Sequence, residues 1–224
     1  MERSTRSRGE LRREEILGAA AGLFARRGFH GVSIDDIGAA VGMSGPGIYR
    51  HFPSKEAVLS DMLLSISQQL LDEGGRRAVA APDAAAALDA MLRWHIDFAL
   101  SQPALITVHG RELANVPEPA QRQIRRLQRL YVEEWVTVLV ELSRGASQAR
   151  LRAAVHAMFG LLNSTPHSAD ELPPEAMAEM LYAMARAALR AVTPPSVRVD
   201  EKDLLSRTSR GFTWSGPGLT SRPR

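Results

Sequence analysis

Tyr49, Arg50, His51 and Lys55 place a hydroxyl, a guanidinium, an imidazole and an ammonium within seven residues, one residue after Gly45-Pro46-Gly47. No cysteine or metal-ligand pattern accompanies them, so the run reads as a set of hydrogen-bond donors for a polyanion rather than as substrate chemistry. Arginine grips guanine bidentately in the major groove, whereas tyrosine, histidine and lysine more often hold a protein in register on the phosphate backbone. Ser33 and Ser44 add hydroxyls just upstream.

Two short helices must carry these groups. Ser33 with Asp36 three residues on is a capping-box pattern and starts a helix at Ile34. Ile34, Ile37 and Val41 recur at helical spacing, and Gly42 stops the helix by taking a left-handed backbone. Ser44 then caps a second helix predicted over Gly45 to Phe52, with Pro46 in its first turn, where a missing amide hydrogen costs little. Gly45 and Gly47 each cost that helix about 1 kcal/mol relative to alanine. Their expected return is close approach of the helix N-terminus, with its free amides, to a charged surface. The whole is a helix-turn-helix, and double-stranded DNA is the partner it fits. Arg3, Arg6, Arg8, Arg12 and Arg13 crowd the segment before it, as a basic arm or a solvated tail.

Composition narrows the rest. The chain has 224 residues, 45% of them hydrophobic, and a formal charge of +3. That is enough to bury a sizeable core in one small and one larger domain. With no cysteine, disulfides, thiolate metal sites and cysteine nucleophiles are excluded. No phosphate-binding loop, dinucleotide glycine fingerprint or nucleophile elbow is present, and the histidines fall in no metal-ligand spacing, so neither an enzyme nor a cofactor is expected. No stretch of eighteen apolar residues runs uninterrupted, which predicts a cytoplasmic protein with no membrane partner.

Upstream of the reading unit a supporting helix is predicted from Glu10 to Arg27, closed by Gly28. At this point Arg27-Gly28-Phe29, Gly31-Val32-Ser33, Val41-Gly42-Met43-Ser44, Gly47-Ile48-Tyr49-Arg50-His51-Phe52 and Pro53-Ser54-Lys55-Glu56 resemble the N-terminal signature of the tetracycline-repressor (TetR) family of bacterial regulators. The resemblance covers roughly residues 10–64. It implies an all-α homodimer with an N-terminal operator-binding domain and a C-terminal domain whose small-molecule effector releases the DNA. Carried over by position, Ser44, Gly45, Pro46, Gly47 and Arg50 face bases, while Ser33, Tyr49, His51 and Lys55 face phosphates. Pro46 and Gly47 depart from the family's polar side chains there and carry no side-chain donor, which leaves Arg50 as the main direct reader and gives weight to shape readout.

The domains implied are residues 1–53 (arm and helix-turn-helix), 54–193 (helical effector-binding and dimerisation domain) and 194–224 (a disordered tail rich in Pro, Ser, Arg and Gly). A long helix from Ser54, fraying at Gly74-Gly75, joins the first two without a flexible linker. Three further helices, the first stopping before Pro103 and the others running to about Leu113 and to Arg144, hold most of the aromatic residues and several lone polar ones. They are the candidate walls of an effector cavity, with Trp94, His95, Phe98, His109, Arg111, Tyr131 and Trp135 as candidate lining. The last two helices, Gln148 to Asn163 and Pro174 to Val192, carry smooth alanine-rich faces. These pack within the monomer or against a twin, and the resemblance implies the twin. Two functions follow from the residues: a ligand-responsive DNA-binding regulator, most directly a repressor with a mostly hydrophobic effector, or a helical carrier or sensor module without an operator.

Overall fold

The computed structural model describes residues 7–143, 145–168 and 171–192. Arg3, Arg6 and the expected tail at 194–224 lie outside them. Helix α1 (Arg8–Arg27) starts two residues before the predicted Glu10, because Ser7 and Glu10 form a reciprocal capping box. It ends at Gly28, whose φ of +70° suits glycine. Helix α2 (Ile34–Ala40) has the expected box: the Asp36 amide donates to Ser33 Oγ at 3.0 Å, and the Ser33 amide donates to Asp36 Oδ2 at 2.8 Å. Gly42, at φ +65°, turns the chain, and the Met43 amide closes the turn on the Gly38 carbonyl at 2.8 Å. Gly38 is needed here, since a Cβ would stand 2.7 Å from the Met43 carbonyl oxygen.

Helix α3 (Gly45–Ile48) is shorter than predicted. The amides of His51 and Phe52 both fold back on the Ile48 carbonyl, at 2.8 and 3.0 Å, so Tyr49 to His51 form a turn. Phe52 is thereby driven into the core beside Ile48, and Pro53 disfavours helical backbone at the residue before it. Arg13 fixes the turn by donating to the His51 carbonyl while its guanidinium lies 4.1 Å from the centre of the Phe52 ring.

Helix α4 (Lys55–Ala80) is capped by Ser54 and runs straight through Gly74-Gly75, where fraying was expected. The reason is tertiary. Gly74 is buried under Tyr131, and a Cβ there would lie 2.6 Å from the ring. After it come α5 (Ala84–Ser101, capped by Asp83), α6 (Pro103–Arg111), a single 3-10 turn at Leu113–Asn115, and α7 (Glu118–Leu142). Then follow α8 (Gln148–Leu162), the one-turn α9 (Thr165–Ser168) and α10 (Pro174–Arg190).

Helix α4 packs chiefly along α7; α5 and α8 complete a bundle around them, and α10 lies across α5 and α8. Helix α1 packs on both α4 and α6, which joins the N-terminal helices to the bundle. One apolar cluster is therefore continuous from Phe24 and Ile37 to Trp135 and Leu189. Among the described residues the architecture is all-α, with N-terminal reading helices joined by one long helix to a C-terminal bundle, as the sequence predicted. None of these helices is long and apolar enough to cross a membrane.

Candidate nucleic-acid interface and internal cavity

The turn formed by α2 and α3 presents an open groove of about 430 Å³ whose lining includes Ser33, Gly45, Pro46, Tyr49 and Lys55. Tyr49 is 55% exposed although it is a large ring, and Arg50 is exposed with no protein partner among the described residues. Ser44 stands at the N-cap of α3 in extended backbone, but its hydroxyl makes no capping bond and stays available to a ligand. His51 is half-buried beside this surface and is held through its carbonyl by Arg13.

Other candidates also make contacts within the protein. Lys55 donates to the carbonyls of Phe29 and Val32 at 2.8 and 2.7 Å, with its ammonium 4.2 Å from the centre of the Phe29 ring. It ties the start of α4 to the loop before α2, and one of its three N–H donors is left over. Ser33 Oγ is spent on Asp36, whose carboxyl is held below its usual range first by the Ser33 amide and then by the Ser33 hydroxyl. Gly45 and Gly47 are both buried, and their missing side chains answer an internal need. A Cβ on Gly45 would run into Asp35, and one on Gly47 would press on Met43 at 3.2 Å. Crowding within the turn, by the ends of two flexible side chains, is thus a second reason for small residues here beside the expected approach to an outside surface.

Of the arginines that precede the reading turn, Arg12 and Arg13 make contacts within the protein. Arg12 donates to the Val41 carbonyl at 3.1 Å and pairs with Glu15, and Arg13 pairs with Asp61 at 2.8 Å. Both brace α1 against the reading turn and α4.

In the bundle, five helices enclose a cavity of about 250 Å³. Of the predicted lining residues, His95, Phe98, His109 and Tyr131 do line it. Trp94 does not: it stacks on Phe98 at 5.8 Å with the Arg77 guanidinium over its other neighbourhood at 4.9 Å. Trp135 is fully buried behind the wall, edge-on to His95 and Tyr131. Arg111, at the end of α6, points to solvent, because half a helical turn separates it from His109. Residues missed from the sequence are Ser67 on α4, Gln128 on α7, His156 and Phe159 on α8, and Asn163 just after it. Their signal was a single polar or aromatic residue on an otherwise apolar stripe, visible only once the facing helix is known.

The cavity's polar groups are ordered. His95 Nδ1 lies 3.0 Å from the Tyr131 hydroxyl and Nε2 lies 3.2 Å from Asn163 Oδ1. Since Asn163 Oδ1 can only accept, Nε2 carries the proton and Nδ1 accepts from tyrosine. Burial pushes the His95 imidazole down to about 4 and raises the Tyr131 hydroxyl, so both stay neutral. Gln128 Nε2 lies 2.9 Å from His109 Nε2, and burial lowers that imidazole too. Among the described residues, no cluster of three His, Cys, Asp or Glu is arranged to hold a metal.

Residues 16–62 match the family model described as bacterial regulatory proteins, tetR family, and residues 81–192 match the tetracyclin repressor-like C-terminal domain. The chain is 26% identical over 129 residues to the transcriptional repressor KstR2 of Rhodococcus jostii, covering 57% of this chain and 63% of that protein. It is 41% identical over 61 residues to the transcriptional regulator EthR of Mycolicibacterium smegmatis, covering 27% and 28%. The matched stretches thus span less than two thirds of these relatives. A TetR-family regulator from Bordetella parapertussis has the same fold, with a TM-score of 0.71, 26% identity and coverage of 79% of this chain and 94% of that one. With both of its domains matched in order, on the helices that form the reading turn and on those that enclose the cavity, the chain belongs to the TetR family of bacterial transcriptional regulators.

Proposed function

We propose that the protein is a dimeric repressor that sits on a palindromic operator and leaves it when a small, mostly hydrophobic effector enters the bundle. The observation that carries this reading is α4. One unbroken helix begins at Lys55 beside the reading turn and, three turns on, supplies Ile66, Ser67 and Leu70 to the cavity wall. Helix α6 offers a second route, since Ile106 and His109 line the cavity while the same helix packs on α1. A ligand that spreads these walls changes the position of the reading turn only by as much as it binds one arrangement better than the other.

Exposed surface supports the dimer. On α10, Met180 and Met184 are 41% and 48% exposed, with Ala176, Ala183, Ala187 and Ala188 around them. Ala153, Ala157 and Gly160 open the outer face of α8 in the same way. These two faces fit a four-helix interface with a second copy, and a two-fold pair of reading turns requires an operator with matching half-sites. Of the groups assigned to DNA, Arg50 and Tyr49 are the free side chains, Ser44 offers its hydroxyl, and Pro46 and the backbone of Gly45 and Gly47 contribute shape. The relative named a repressor, KstR2, favours repression over activation.

The test is fluorescence anisotropy on labelled duplexes from the chain's own upstream region. Wild type should bind with salt-dependent affinity, and Arg50→Ala should weaken binding about 5- to 150-fold, as expected for a base-reading arginine. If wild type shifts none of these duplexes while still binding ligands, the sensor-module reading replaces this one.

A further inference from the structure

The walls of the cavity restrict what it can hold more tightly than the word hydrophobic does. None of its thirteen lining residues is Lys, Arg, Asp or Glu. The guanidinium beside the Tyr131 side of the bundle, Arg77, is already paired with Glu73 and lies 4.9 Å from the Trp94 ring centre, outside the wall. The other candidate cation, Arg111, is in solvent. A carboxylate, sulfonate or phosphate drawn inside would lose its water without meeting a fixed positive charge.

The neutral groups have a definite surplus. Tyr131 donates to His95 and His95 donates to Asn163 Oδ1, which leaves the Asn163 amide hydrogens unspent. Gln128 donates to His109 Nε2, which makes His109 Nδ1 a donor and leaves the Gln128 carbonyl free. Two donors and one acceptor match an oxygen that accepts, or one that accepts and donates. The apolar part of the wall is flat. Phe159 stacks over His95 at 4.9 Å and 25°, and over Tyr131 at 5.4 Å and 13°, so three ring planes run nearly parallel. Parallel ring faces receive another planar ring by offset stacking.

From this we infer that the cavity takes an uncharged, ring-bearing molecule with a carbonyl or hydroxyl oxygen, and rejects anions of the same shape. Burial keeps His95 and His109 from supplying the missing cation, since it lowers both imidazoles, and the third histidine of the wall, His156, stands at its solvent-exposed edge. The inference rests on the proposed role of this cavity as the effector site and narrows it. Fatty carboxylates are excluded, as is any phosphate-bearing portion of a ligand; such a portion has to remain outside.

Two fluorescent dyes of one skeleton test it on the full chain near neutral pH: 2-naphthol, which is neutral and bears a hydroxyl, and naphthalene-2-sulfonate, in which a charged sulfonate replaces that hydroxyl. The neutral dye should saturate one site per chain with a Kd at least about tenfold below that of the sulfonate. Gln128→Arg, which brings a guanidinium to the wall, should narrow that gap to less than about threefold. Should that variant lose its helical circular-dichroism signal, His109→Arg provides the same charge from α6. Equal or tighter binding of the sulfonate to wild type overturns the inference, as does the lack of saturable binding by either dye. Operator binding measured on the same preparation without dye keeps such a failure distinct from failure of the regulator reading.

Discussion

Gly74 and Gly75 offer a controlled measurement of what α4 owes to its neighbours. Both lie in the interior of the helix, so alanine at either one gains about 1 kcal/mol of helix propensity. Only Gly74 is covered. Its added Cβ would stand 2.6 Å from Tyr131 Cε2, 3.3 Å from Cδ2 and 3.7 Å from the Met91 terminal methyl, whereas Gly75 has nothing within 4 Å. The Tyr131 ring cannot simply swing away, because its hydroxyl is 3.0 Å from His95 Nδ1 and its face is stacked on Phe159. Forcing a methyl into such a site costs about 1–3 kcal/mol. Propensity cancels between the two variants, so Gly75→Ala should exceed Gly74→Ala in stability by about 1–3 kcal/mol. For a chain of this size that is a difference of roughly 2–12 °C in Tm. Thermal melts of both variants and wild type, run at one protein concentration because association shifts Tm, provide the comparison. If Gly74→Ala stabilises as much as Gly75→Ala, the close Gly74–Tyr131 contact is wrong, and with it the account of why α4 does not fray.

Two further outcomes separate structural from reading roles. Lys55→Met should lower stability to urea by about 1–3 kcal/mol through loss of two charged hydrogen bonds to the Phe29 and Val32 carbonyls; if instead it leaves stability intact and reduces the salt slope of DNA binding by about one, Lys55 is a phosphate contact after all. For pH, the unfolded chain protonates His95 near its ordinary 6.5, whereas in the fold burial holds it to about 4. Between those values the unfolded state binds more protons, so stability falls on acidification across that window, by about 3 kcal/mol in all. His109 is lowered by the same cause and adds to the same direction. Replacing His95 with glutamine should flatten the slope, and an unchanged slope in His95→Gln would refute the assignment.

The fold was legible wherever a local signal decides local structure. Ser33 with Asp36, Ser54, Asp83 and Gly42 each act on backbone within a few residues, and the structure has each of them at the expected helix end. What escaped the sequence was decided at long range. Gly74-Gly75 reads as a helix end by propensity, yet a tyrosine more than fifty residues away packs onto it. The second reading helix is shortened by Arg13, which pins the His51 carbonyl from α1. Gly45 and Gly47 advertise a need for small residues, and only in three dimensions does it show that the ends of the Asp35 and Met43 side chains crowd them from within. Likewise His95, Phe98, His109 and Tyr131 were found as the polar and aromatic interruptions of apolar stripes. Trp94 and Trp135 were indistinguishable from them, since a few tens of degrees around α5 or α7 separate lining the cavity from backing it.

The contacts that hold the reading turn and those that shape the cavity meet on α4. At its start Lys55 clamps the helix to the loop before α2, and near its end Gly74 seats Tyr131, which in turn orders His95 and Asn163. Ile66, Ser67 and Leu70 lie between these two fixed points and face the cavity. A ligand that presses there cannot bend α4 locally without breaking helical hydrogen bonds, so the cheaper response is a shift of the helix as a body. Such a shift carries Lys55, and with it the Phe29 and Val32 carbonyls, toward a new position. The Lys55 clamp is therefore what would make the reading turn follow the helix. Cutting it by Lys55→Met should leave ligand binding in the cavity intact while reducing the ligand's effect on DNA affinity. Dye titrations with and without operator would read that loss directly. If the coupling survives in full, the signal travels through the α6–α1 contact instead.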